Sequence, residues 1–403
     1  MHIAPDRALT PLNLNGGFQI PYSSHSFKDD DIDDNSNGSK SSDKFKYATQ
    51  LDNSLDLSRD ELVFKERNVS GRVNLTDTQG KPYSFLCNTD ASISQIPFKP
   101  KTKIIRELNV QGKGLLHLNL NNYRDLETLN CSYNCIADLE FLNDGYHLTQ
   151  INMSHNQVRS LTTLENTPLR HLDLSYNLIE GCIDFRELMH GSRDKLGWAS
   201  LEYLCLTGNK IKELKNIHLL TNLRVLLVDN NNLEKVDNLH LLRYLETVSL
   251  MKNFNLPHLE LKCLPLMQLK ELHIDACKCL REWKICPPHI EVFEICNGAI
   301  CDIPKWEYFP PNLKILKISN ISGLRELPSN LYQIIPTVQR LDLTDNDLHD
   351  LKNILRAIPT TQLKYINLCR NPVTKQLSRR TAQNYEHVFR IACQIIENVH
   401  LVD

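Results

Sequence analysis

The sequence predicts an α/β repeat solenoid, in which short parallel strands stack into one long sheet and are joined by 3₁₀ or short helical returns. Three observations predict it. The phrase LRHLDLSYN, from Leu169 to Asn177, recurs as LEYLCLTGN from Leu201 and as VQRLDLTDN from Val338. Copies follow one another mostly at 21 to 25 residues. Both flanks of the array differ in character from it, as expected where an open stack must cover its ends.

The template LxxLxLxxN begins at Ile105, Leu126, Leu148, Leu169, Leu201, Leu223, Leu245, Leu269, Ile290, Leu313, Val338 and Leu363. Twelve copies in phase are the leucine-rich-repeat signature. Within one copy, HLDLS reads as a strand. Side chains alternate along a strand, so Leu172 and Leu174 point inward while His171, Asp173 and Ser175 point outward. One such strand cannot bury its apolar face, but a stack shares a continuous core. Asn177 closes the phrase where a buried turn needs an amide to bond its backbone. Asn134, Asn156, Asn209, Asn231, Asn253, Asn346 and Asn371 stand at the same position.

About ten residues remain for each return, so KIKELKNIHLLTN (210–222) is expected to form a 3₁₀ or short helical turn. The spacing from Leu169 to Leu201 is longer, at 32 residues. The extra stretch FRELMHGSRDKLGWAS (185–200) reads as a helical turn and a protruding surface loop, with a partner-contacting loop as the alternative. Cys277, Gly298 and Ile321 replace the asparagine, which marks repeats eight to ten as irregular.

Residues 1–58 are polar. Their run KDDDIDDNSNGSKSSDK (28–44) is too poor in apolar side chains to fold, so a disordered acidic, Ser-rich tail is expected. Residues 59–103 read as an N-terminal β cap, with strands Gly71–Leu75 and Tyr83–Cys87 joined by a turn into a hairpin. Repeats fill 104–380. Residues 381–403 read as a C-terminal cap: Tyr385, Val388, Phe389, Ala392, Ile395 and Ile396 recur at helical spacing, and HLVD follows as a last strand.

Composition narrows function. Of 403 residues, 41% are hydrophobic, and the net charge is −2, so no global field favours nucleic acid or an anionic membrane. No apolar run reaches the roughly 18 residues of a membrane span, and the N-terminus lacks a secretory apolar region. The 13 cysteines form no framework and read as reduced thiols of a cytosolic or nuclear protein. No phosphate loop, metalloprotease, nucleophile-elbow or dinucleotide motif occurs, so no catalytic residue and no cofactor is assigned. The thiols Cys263, Cys277, Cys279, Cys286, Cys296 and Cys301, with His273 nearby, lack the paired spacing of a zinc site. They read as small packing residues, and no metal site is expected.

Function is then sought on the outward positions, which the fold leaves free. The central outward row is polar at both ends of the array. Around repeats five to seven, Leu227 joins the flanking outward residues Tyr203, Val225 and Met251 in an apolar patch on the concave face, expected to bind a protein partner. In the tail, Thr10 precedes Pro11 and Ser26 has Asp29 at +3, the minimal patterns of proline-directed and acid-directed kinases.

Three stretches outside the repeat motif carry a resemblance: NVSGRVNLTDTQGKPYSF (68–85), IPFKPKTKIIRELNVQGKGLLHLNL (96–120) and NYEHVFRIACQIIENVHLVD (384–403). In this arrangement, residues 60–403 resemble the C-terminal half of the fungal spindle-pole-body scaffold of the mitotic exit and septation initiation networks, which is related to centriolin. The resemblance implies a non-catalytic platform at the spindle pole body, in the cytoplasmic cytoskeleton. Its partners would be pole-body components, network kinases and GTPase regulators, recruited with help from tail phosphorylation. An adaptor that regulates a phosphatase or a GTPase is the alternative.

Overall fold

A three-residue strand with one buried side chain has no stability of its own, so the fold is made by stacking. The computed structural model describes residues 62–63, 70–76, 82–88 and 105–401, apart from 122, 163, 165–166, 190–196, 257–267, 277–279, 281–287, 359–361, 376–378 and 393–395. All belong to one compact unit, Ser54–Asp403. The expected disordered tail, Thr10 and Ser26 lie outside the described residues.

Ahead of the repeats come β1 (Leu62–Val63), β2 (Ser70–Thr76) and β3 (Pro82–Asn88). β2 and β3 form an antiparallel hairpin, and β1 adds to β3 in parallel. β2 also pairs antiparallel with β4 (Glu107–Asn109), the first repeat strand, and so occupies the edge that the repeats would otherwise leave open. The sequence showed the hairpin but not the two-residue β1, which is too short to show alternation.

The repeat strands follow in register: β5 (Thr128–Asn130), β6 (Gln150–Asn152) and β7 (His171–Asp173). β8 (Glu180–Asp184) leaves this sheet, and β9 (Tyr203–Cys205) rejoins it beside β7. β10 (Lys210–Lys215) and β12 (Lys235–Val236) pair with β8 in a small parallel sheet. Between them, β11 (Val225–Leu227) continues the long one. It runs on through β13 (Thr247–Ser249), β14 (Glu271–Asp275), β15 (Val292–Ala299), β16 (Ile315–Ser322), β17 (Arg340–Asp342), β18 (Tyr365–Asn367) and β19 (Asn398–His400). The middle residue of each short repeat strand is buried, as Leu172 is, while its neighbours are turned outward.

The repeat asparagines hold the turns. Asn177 Oδ1 accepts from Val158 N at 3.0 Å. Its Nδ2 donates to Met153 O, Leu174 O and Ser175 O at 3.0, 3.0 and 3.2 Å. One buried amide therefore ties its own turn to the preceding repeat. Where the asparagine is lost, the ladder changes. At Gly298 a Cβ would sit 2.7 Å from Ala276 Cβ, so no longer side chain fits. Ile321 is buried instead. β15 and β16 there grow to eight residues and pair on to Gly298↔Ile321 and Ala299↔Ser322.

A second ladder runs along one edge of the sheet, on the residue after the first leucine of each phrase. Arg106–Glu127 (3.2 Å), Arg170–Glu202 (3.3 Å) and Arg224–Glu246 (2.6 Å) pair across neighbouring repeats. Lys270–Glu246 (2.8 Å) and Lys314–Glu291 (2.7 Å) continue it. Exposed pairs of this kind each contribute only about 0.2–1 kcal/mol. Their alternation matters more, because slipping by one repeat would set like charges together.

Two expectations need correction. Half of 210–222 is strand β10, followed by a 3₁₀ turn at Ile217–Leu219. Ile211 and Leu214 are both buried there because a bulge breaks strict alternation. In the C-terminal cap, helix Arg379–Ala392 buries Ala382 and Phe389, but Val388 is exposed. Ile396 is buried beyond the helix, and the last strand is Asn398–His400, earlier than HLVD. The helical turn expected in the insertion at 185–200 is present at Phe185–Leu188, and the described residues at both ends are anchored. Phe185 and Trp198 are buried edge-to-face at 5.9 Å, and Trp198 Nε1 donates to Thr162 O at 3.0 Å.

Three substitutions test this account in melting experiments. Leu172→Ala should cost about 2–5 kcal/mol from lost burial and a residual cavity. Asp173→Asn should leave stability nearly unchanged, since it keeps the side-chain oxygen that accepts from Ser175 N at 2.9 Å. Equal losses would mean that the strand faces are assigned wrongly. Asn177→Ala should cost about 1–3 kcal/mol for each buried partner left unbonded.

Candidate protein-binding surface

The candidate patch lies on the outward face of β9, β11 and β13. Registers Tyr203↔Val225↔Thr247 and Cys205↔Leu227↔Ser249 set Tyr203 beside Val225 in one row and Leu227 in the next. Met251 lies two residues past Ser249. The four occupy three rows of one face, and all are half-buried. Tyr203 also stacks on His171, with centroids 5.8 Å apart. The inward positions beneath are filled by Leu204, Leu226 and Val248, all buried. The core therefore does not require Tyr203, Val225 or Leu227. Val292 and Ile315, half-buried and paired in the row of Val225, extend the apolar character onto β15 and β16. Their template position was the signal available in the sequence, but Thr247 and Glu271 interrupt the row.

Beside this ridge the face is polar and internally bonded. Asp229 Oδ1 accepts from Ser249 Oγ at 2.5 Å and from Met251 N at 2.7 Å. Burial pushes the Asp229 carboxyl up, and these bonds oppose the shift. Asp275 is likewise pushed up by burial, while it accepts from Asn297 Nδ2 at 2.7 Å and from Lys252 N. Glu294 is held between two partners: His273 Nδ1 at 2.8 Å and Lys317 Nζ at 2.5 Å. Burial alone would raise its pKa, but the His273 bond and the Lys317 charge outweigh burial and hold it at about 2. Carboxylates on this face are already hydrogen-bonded, and its apolar side chains are still partly open.

Among the described thiols, Cys205 and Cys296 are buried. Burial pushes Cys205 and Cys296 up to about 12, so both are protonated at neutral pH and lack the thiolate needed for attack or metal binding. Cys296 Sγ instead sits 2.9 Å from Ser319 Oγ. Cys301 is exposed, while Cys263, Cys277, Cys279 and Cys286 lie outside the described residues. Among the described residues, no group of three or more His, Cys, Asp or Glu could hold a metal ion. None of their helices is long and apolar enough to cross a membrane.

The Glu294 pair predicts a pH dependence. Its folded pKa lies below the ordinary 4.5, so the stabilisation is complete above that value and is lost as pH falls towards about 2. Glu294→Gln should lower the melting temperature at pH 7 and flatten its fall between pH 4.5 and 2. An unchanged acid limb would show that the pair contributes nothing.

A family profile described as Leucine Rich repeats (2 copies) matches residues 124–166. Among curated proteins, the chain is 30% identical over 303 residues to Protein NUD1 of Saccharomyces cerevisiae (strain ATCC 204508 / S288c). The match covers 69% of this chain and 34% of NUD1, so the chain spans about a third of that relative's length. Solved structures similar in fold include a leucine-rich-repeat protein of Leptospira interrogans, with TM-score 0.46, 21% identity, and 71% of this chain and 76% of that chain covered. Another is a chain of the Drosophila Toll–Spatzle complex, with TM-score 0.47, 16% identity, and 73% and 45% covered. NUD1 is a spindle pole body protein of yeast, which agrees with the resemblance carried by the flanking segments. The recurrent strand, the asparagine ladder, the repeat profile and the NUD1 match make the chain a leucine-rich-repeat protein similar in sequence to NUD1.

Proposed function

We propose that this chain is a non-catalytic, protein-binding platform of the spindle pole body. On this reading it recruits GTPase-network and kinase components of the mitotic exit or septation network and contributes to microtubule organisation. The observation that carries the binding role is the outward placement of Leu227 beside Tyr203, Val225 and Met251, over inward positions already filled by other side chains. Partly open apolar side chains that a core does not need are the usual anchors of a protein interface. Relatedness to NUD1 supports the location. In the tail, Thr10 and Ser26 are proposed phosphosites. Each phosphate would add about −1.5 to −2 charges and could dock on Arg or Lys of a partner.

Two measurements test the proposal. Tagged chain should concentrate at spindle poles in dividing cells, and a diffuse signal throughout mitosis would remove the location. Leu227→Asp should melt like the parent while weakening capture of network kinases or GTPase regulators by at least about 2 kcal/mol. Normal melting with undiminished capture would move the interface away from the patch. Mass spectrometry of mitotic protein that finds neither Thr10 nor Ser26 modified would remove the phosphosites.

A further inference from the structure

Eleven of the twelve turns that end a repeat strand put one residue into the left-handed backbone region, the exception being the turn at Ala276. Asn stands there at Asn230 (φ +52°), Asn297 (+53°) and Asn320 (+56°), the side chain that tolerates this conformation best after glycine. Three consecutive repeats break the preference with large rings: Tyr133 (+58°), His155 (+56°) and Tyr176 (+54°). Those residues are strained, and the core does not repay them, since Tyr133 and Tyr176 are 55% and 49% exposed. They form a column instead. Tyr133 and His155 stack at 4.2 Å and 11°, and His155 and Tyr176 at 4.5 Å and 8°.

The two ends of the column differ. Beyond Tyr176 the next turn residue is Gly208, where a Cβ would lie 2.6 Å from the Tyr176 ring, so the ring lies against the glycine and that end is closed. Before Tyr133 the turn residue is Gly112, at φ +64°, and among the described residues nothing stands within 4 Å of where its Cβ would be. The column thus has one vacant rung, over Gly112, against the outer face of Tyr133. Around it stand neutral amides: exposed Asn109 and Gln111, and half-buried Asn130. Amides suit the backbone of a peptide, whereas a nucleic acid backbone needs basic partners.

We propose that the vacant rung over Gly112 is a docking site for an exposed aromatic side chain of a protein partner, which stacks on Tyr133 and extends the Tyr133–His155–Tyr176 column. The site lies at the strand ends of repeats one to four. It is separate from the Leu227 patch and stands or falls without it. Offset stacking of neutral rings 4.5–7 Å apart is favourable beyond the area it buries, and a column already held rigid loses little freedom on binding.

The test uses the full chain and N-acetyl-tryptophanamide as probe, followed by the indole proton shifts of the probe in solution NMR. Saturable upfield shifts are expected with the parent. Tyr133→Asn and Gly112→Asn both place a left-handed-tolerant residue in the row, and the second fills the rung. Both variants should melt at or above the parent temperature and bind the probe at least five-fold more weakly. Leu227→Asp should leave the titration unchanged, which separates this site from the patch. An absent or unsaturable shift in the parent overturns the proposal, as does equal binding by Gly112→Asn. Tighter binding of adenosine or N-acetyl-argininamide than of the indole probe also overturns it, in favour of a nucleic acid or a cationic partner. Should Tyr133→Asn melt early, Gly112→Asn decides the matter alone.

Discussion

The buried asparagine amide is the interaction on which the stack depends. A solenoid must turn its backbone inward once per repeat, and the peptide groups of that turn then lie away from water. Unpaired, each would cost about as much as a hydrogen bond lost. Asn134, Asn156 and Asn177 satisfy them in the same way: one oxygen accepts from the backbone beyond the preceding turn, and the amide donates both to its own turn and to the strand end of the repeat before. The pattern reaches the end of the array, where Asn371 Nδ2 donates to Leu343 O at 2.8 Å. Because each such amide spans two repeats, each turn that carries one is completed only with its neighbour. Caps at both ends follow from the same logic.

That division of labour frees the outward face. Inward leucines and turn asparagines hold the fold, so residues between them answer to other demands. The alternating Arg, Lys and Glu along one edge contribute little energy singly but oppose a slip by one repeat. On the open face, Asp229, Asp275 and Glu294 are saturated by Ser249, Asn297, His273 and Lys317, which leaves that floor with few unmet polar demands. Leu227 stands between buried Cys205 and Ser249 as the large apolar side chain of its row. A partner would gain most there, since apolar contact carries no cost of stripping water from charge.

The irregular repeats show the same rule from the other side. Where Gly298 and Ile321 stand in place of asparagine, that position offers no amide, and the backbone pairs on with its neighbour. The strands lengthen because the peptide groups must bond somewhere.

Much of this was legible in the chain itself. The period of the leucines determined the strands, their faces and their number, because a period-two pattern with one buried residue admits only one assignment. The asparagines determined where each turn closes, and three flanking stretches pointed to the spindle-pole relatives. Tertiary structure decided the rest. Lys210–Lys215 became a strand because β8 and β12 were there to pair with it, which no local pattern records. Val388 was left exposed while Ala382 and Phe389 of the same helix were buried. His273 was drawn from the thiols to Glu294, 21 residues on, by the register of two strands. The ring column could not be read from Tyr133, His155 and Tyr176 alone, since stacking requires that each turn repeat the same left-handed backbone one strand spacing away. Periodicity tells which residues share a face; only the packed neighbours decide what that face touches.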